Sequence, residues 1–152
     1  MNLEDIRPNL LGIVQPIALF AAPEVQAALL IDDGQQHAVM ESALKAIGFT
    51  LLIMAPEGLS SSPEAEKGLE SIDYSTTLWL RTNPHVVAQN GKAVWDPLVC
   101  ESAIIKAVMV WSRPRPSLQV FHLTKGAEPA TDYMDTGNFS RLVRFQTRVV
   151  FQ

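Results

Sequence analysis

Three histidines, one cysteine and a run of glutamates are the side chains of this 152-residue chain best suited to proton, metal or nucleophile chemistry. His37, His85 and His122 lie far apart. None has a partner at the i,i+4 spacing of a helical zinc site, and no cysteine stands near them. Each reads as a solvated or hydrogen-bonded structural histidine. Cys100 is the only cysteine, so it forms no internal disulfide. It sits on the apolar stripe of a predicted helix with no adjacent base to lower its pKa, which suits packing rather than nucleophilic attack. Asp32-Asp33-Gly34 resembles the start of a calcium loop, but Ala43 occupies the twelfth position, where a bidentate glutamate is required. Gly58 to Ser62 lacks both the lysine of a phosphate loop and the glycines of a nucleophile elbow. Glu64, Glu66 and Glu70 read as a solvated acidic face, because an acid–base pair needs a pocket that separates two pKa values. Trp79 and Trp95 suit core or interface packing. No residue is assigned to catalysis, to a cofactor or to a metal.

The elements that carry these residues follow from periodicity. Leu3, Ile6, Leu10, Ile13, Val14, Ile17 and Phe20 mark an interrupted helical segment, with Pro8 tolerable in a first turn and Pro16 a kink or stop. Ala27 to Ile31 is a short candidate strand, followed by a turn at Asp32-Asp33-Gly34. Met40, Ala43, Leu44 and Ile47 form one helical stripe, closed by Gly48. Phe49 to Met54 is apolar on both faces and predicts a central, covered strand. Tyr74 to Thr82 predicts a second strand. Asp96-Pro97 opens a helix whose stripe is Cys100, Ala103, Ile104, Ala107, Val108 and Trp111. Leu118 to Thr124 predicts a further strand. Residues 57–72 and 125–138 read as polar loops, the first of them acidic. The expectation is one domain over residues 1–152, of α+β class, with a small, mainly antiparallel sheet and helices packed on one face.

The C-terminal segment carries the clearest pattern. Val143, Phe145, Thr147, Val149 and Phe151 alternate with Arg144, Gln146, Arg148, Val150 and Gln152, as in a strand with one core face. Net charge is −4, unevenly spread. Residues 1–111 hold six basic side chains against thirteen acidic ones, and residues 112–152 hold six against three. Such a split suits a subunit whose basic surface meets an acidic surface of its neighbour. The candidate interface residues are Arg141, Arg144 and Arg148 on the basic side and Glu64, Glu66 and Glu70 on the acidic side. The basic segment lacks the density and aromatic platforms of a nucleic-acid footprint. No apolar run approaches a bilayer span, and the start of the chain does not read as a secretory signal.

A helix leads into an apolar strand ending in APEG, Ala55 to Gly58. A Ser/Pro loop follows, then a β-branched strand ending in RTNP, Arg81 to Pro84. A helix opened by Asp96-Pro97 runs to Trp111, and a final strand alternates to the end. Over residues 35–152 this order resembles the tail terminator, or tail-completion, proteins of bacteriophages and prophages. The prolines near the start depart from the uninterrupted first helix usual in that family. The resemblance implies a non-enzymatic virion subunit, found in the tail or in the bacterial host cytoplasm during assembly. It implies self-assembly as a ring, often hexameric, that meets tail-tube and head–tail connector proteins. The alternative from the residues alone is a small-molecule or peptide binding module, using a groove between sheet and helices.

Overall fold

The structure, a computed structural model, describes residues 1–62, 70–83, 85–86, 95–116, 120–129 and 139–151. A 3-10 turn at Leu3–Asp5 leads directly into α1, Ile6–Val14. Pro8 lies in the first turn of α1, where its missing N–H breaks no bond. The helix ends at Val14, with Gln15 still helical as its cap, and Pro16 has no N–H to continue the ladder. A second 3-10 turn, Ala18–Phe20, and the short α2, Pro23–Gln26, bring the chain to β1, Leu29–Ile31. The Asp32 and Asp33 carboxylates accept from the N–H groups of Gly34 and Gln35 and tighten the next turn. Then α3, His37–Ile47, stops at Gly48, whose φ of 69° is the left-handed conformation glycine tolerates.

The sheet is built around two 13-residue strands, β4 (Glu70–Thr82) and β6 (Phe139–Phe151). They pair antiparallel along their whole length, from Glu70 opposite Phe151 to Thr82 opposite Phe139. On the other edge of β4, two shorter strands lie end to end. β2 (Phe49–Ile53) covers Leu78 to Thr82, and β3 (Glu57–Ser62) covers Ser71 to Ser75. Between them the Met54 N–H still donates to the Thr77 carbonyl at 2.9 Å. β5 (His122–Pro129) pairs with β6 only over Arg141 to Gln146, and β1 joins β2 in parallel. The order is β1-β2-β4-β6-β5, with β3 beside the far half of β4. The sheet therefore narrows toward Glu70 and Phe151 to a β3–β4–β6 ribbon among the described residues.

This corrects the reading of residues 57–72 as a loop. Residues 57–62 and 70–72 are strand, because the exposed edge of β4 offers backbone groups that need partners. Of the second predicted loop, residues 125–129 belong to β5. The remaining positions of both loops lie outside the described residues.

The α+β class is observed. Helix α1 and helix α4 (Pro97–Ser112) cover one face, packing Ile6, Leu10, Val14, Cys100, Ile104 and Val108 on Leu51, Leu80, Val143 and Phe145. Asp96 caps α4 by accepting from the N–H groups of Leu98 and Val99, a cap worth about 1 kcal/mol. Placement of α3 differs from the one-face expectation. It connects two parallel strands, and such a connection must cross one face of the sheet. Its Glu41 reaches Arg81, which alternation along β4 places on the face opposite Leu80. With helices on both sides, β2 is buried at all five positions.

Candidate functional site

The basic residues singled out in the C-terminal strand are engaged within the chain. Arg141 lies in β6 on the helix-covered face, and its guanidinium pairs with Glu101 of α4 at 2.8 and 2.9 Å. Arg148 stands directly opposite Asp73 and makes a two-pronged contact at 2.8 and 3.2 Å. That guanidinium holds the Asp73 carboxyl below the usual carboxylate range, chiefly through its hydrogen bonds. Arg144 stands opposite Thr77, on the same face as Arg148. Glu70 is exposed at the end of the ribbon, while Glu64 and Glu66 lie outside the described residues. Of the four described candidates, Arg141 lies on the helix-covered face, Arg144 and Arg148 on the opposite face, and Glu70 at the ribbon end. Arg141 and Arg148 instead fasten β6 to α4 and to β4.

The chemistry-capable residues remain dispersed. Among the described residues no group of three His, Cys, Asp or Glu side chains could hold a metal ion. Cys100 is buried, and its thiol is pushed up to about 12 by that burial and by the nearby Asp96 carboxylate. At pH 8 the folded protein is expected to resist thiol reagents, with Cys100 labelled only after denaturation. A timed titration with an aromatic disulfide checks this. Labelling of the native state within seconds would contradict the burial.

Two surfaces stand out instead, and the sequence reading missed both. The first is the outward side of α4. Leu98 and Val99 are exposed at its start, and Met109 and Val110 are 54% and 63% exposed near its end. These residues lie off the Cys100–Ile104–Val108 stripe, so α4 is apolar on more than its core side. That surplus was the available signal. At the end of α4 an open groove of about 610 Å³ runs along the start of β5. Met109, Phe121 and Leu123 line it, and Arg113, Arg115 and His122 border it. Arg115 lies over the Trp111 ring at 3.7 Å and donates to the Trp111 carbonyl. No acidic side chain lines the groove among the described residues.

The second surface is the far end of the β3–β4–β6 ribbon. There Phe151 is 39% exposed, and further back along the ribbon Leu59, at the register shift beside Tyr74 and Asp73, is 53% exposed. Phe151 thus departs from the core assignment made from its alternation. It belongs to the correct face of β6 but extends past the helices that cover Val143 to Val149. Glu70 is exposed and stands directly opposite Phe151, while Glu57 pairs with Ser75 at the other end of β3.

The protein is of α+β class, with exposed apolar residues on α4 and at the end of β6. No protein-family model matches the chain, and a search of curated proteins finds no match. No helix among the described residues is long and apolar enough to cross a membrane.

Proposed function

We propose that the protein is a non-enzymatic tail-assembly subunit of a phage or prophage. In this reading it forms a ring that terminates the tail tube and contributes to head–tail joining. It acts in the virion tail, or in the host cytoplasm during assembly. The observation that carries the reading is the pair of unlike exposed surfaces, one apolar and basic at the end of α4, the other at the ribbon end, where Phe151 and Glu70 are exposed opposite each other. A ring subunit needs two different, mutually fitting faces, and exposed apolar areas of this kind mark contact sites. The sequence resemblance to tail terminators supplies the class of assembly.

Light scattering across concentration, followed by negative-stain microscopy, tests this. Closed rings, alone or on mixing with a tail-tube protein from the same genome, are expected. A strict monomer that ignores the tube protein would sink the reading. The groove beside α4 favours a second reading, a module that binds a peptide or small molecule there. A monomer that captures an acidic peptide would support that second reading.

A further inference from the structure

We infer that the groove at the end of α4 docks a short extended peptide of another protein. The peptide adds as a strand to the free edge of β5 and carries apolar side chains beside an acidic one. The inference rests on the groove-binding reading, names its partner and does not depend on ring formation.

β5 is the last strand on its side of the sheet, and no described strand pairs with its outer edge. Alternate residues of such a strand direct their N–H and C=O groups away from the sheet, a template for an incoming strand. Bulges and prolines ordinarily blunt such edges. β5 has both beyond Leu123. Its register shifts between Leu123 and Lys125 and again before Glu128, and Pro129 has no N–H. Its start has neither. His122 and Leu123 are exposed and pair in unbroken register with Gln146 and Phe145. The start of β5 is also tied to the end of α4. The Ser112 hydroxyl donates to the Phe121 carbonyl at 3.4 Å and accepts from the Phe121 N–H at 3.2 Å. The groove is therefore formed before a partner arrives.

The side chains beside that edge select the occupant. Leu123 stands opposite Phe145, and so on the helix-covered face, where Met109 and Phe121 line the same groove. A strand laid beside β5 places every second side chain on that face, about 7 Å apart. Alternate apolar residues of the peptide then cover Leu123 and Met109. Charge selects the rest. Arg115 is engaged with Trp111 and lines a second pocket with Asp5. Arg113 is exposed at the groove and makes no ion pair among the described residues. An unpaired guanidinium beside an apolar shelf favours a carboxylate on the peptide.

Panning a displayed library of random octapeptides against the full chain supplies the probes, and isothermal titration measures their dissociation constants. Selected peptides should alternate apolar residues and carry an acidic one. Arg113→Glu and Met109→Asp should each weaken a selected peptide at least about tenfold. Both positions are exposed, so the fold is expected to survive, and circular dichroism checks that it does. The strand mode is read on the wild-type chain. N-methylation of single peptide amides should abolish binding at every second position and leave it unchanged between, since only alternate amides face β5. Equal tolerance of N-methylation at all positions overturns the strand docking while leaving a groove that binds peptides. Basic selected peptides, or peptides that bind both variants at wild-type strength, overturn it too. No enrichment overturns it as well, and a fragment screen by NMR then judges the groove-binding reading separately. Wild-type self-association that a selected peptide displaces puts a second copy in the groove and overturns the assignment to another protein.

Discussion

Phe49→Ala is expected to destabilise the protein by about 3–5 kcal/mol, the range for deleting a fully buried aromatic side chain. Phe49 is 0% exposed and opens β2 directly after the Gly48 turn. Its ring lies 5.1 Å from that of Phe20 and 4.7 Å from that of Trp95. Three separate parts of the chain therefore meet at one residue: the turn after α1, the first residue of β2 and the approach to α4. Trp95 is held in turn by its Nε1, which donates to the Ile47 carbonyl at 3.1 Å. With two of the three rings anchored elsewhere, the site cannot collapse to fill the space, and the cost falls in the upper part of the range. For a domain of this size the loss corresponds to a melting temperature lowered by roughly 10–15 °C. Differential scanning calorimetry measures it directly. Phe49→Leu, which keeps most of the volume, should lose less than half as much. A loss below about 1 kcal/mol in the alanine variant would contradict the packing described for this trio.

Glu41→Ala is expected to cost about 2–3 kcal/mol, by leaving the Arg81 guanidinium buried without its counter-charge. The Arg81 side chain is 6% exposed and Glu41 is 38% exposed, so the pair spans the boundary between interior and solvent. Solvent reaches Glu41, and the figure is set below that of a fully buried pair for this reason. Arg81 also lies over the Trp79 ring at 4.8 Å, while its Nε has no hydrogen-bond partner. Removing the carboxylate would leave little else to compensate the charge. Urea unfolding of the variant measures the loss. Replacing both residues, Glu41→Ala with Arg81→Met, should recover most of it, because the cost comes from the orphaned charge rather than from the missing contact.

The same pair sets a pH dependence with a definite sign. Hydrogen bonding from Arg81 lowers the Glu41 pKa from its ordinary value of 4.5. A carboxyl with a depressed folded-state pKa stabilises the protein above its unfolded-state value, and the contribution is lost as pH falls through the folded-state value. Asp73, lowered by Arg148, acts in the same direction. Stability should therefore decline as pH falls below about 4.5, and Glu41→Gln should flatten that decline without removing it. An unchanged acid limb in Glu41→Gln would show that the pair carries no linkage.

Much of the fold was legible because the pattern and the burial agree. Phe49 to Ile53, apolar on both faces, is the strand covered from both sides. Asp96-Pro97 and Gly48 mark helix ends through capping and left-handed backbone, which are local properties. What sequence alone did not show was non-local. Glu57 to Ser62 has a loop's composition and becomes a strand only because β4 presents an open edge beside it. The side of the sheet taken by α3 depends on β1 and β2 running parallel, which no residue in α3 encodes. The candidate site was hidden for a related reason. Arg141 and Arg148 look available on a strand read by itself, but Glu101 and Asp73 come to them from elements 40 and 75 residues away. The exposed apolar residues of α4 were visible in its composition, but only the placement of α1 and the sheet decides which side of that helix faces outward.

The full-length pairing of β4 with β6 has a consequence for how the chain folds. Its two strands meet in a register that joins residues from roughly 57 to 81 positions apart, across the whole of α4 and β5. Loops of that length must close before any of these bonds forms, and the cost of closure is met before the pairing can offset it. The β1–α3–β2 segment can organise early from nearby contacts, yet its strand β2 has only β1 beside it until β4 arrives. Folding should therefore be slow for a domain of this size, in the millisecond-to-second range typical of non-local sheets. Closing this single long zipper down the middle of the sheet is the step expected to limit the rate.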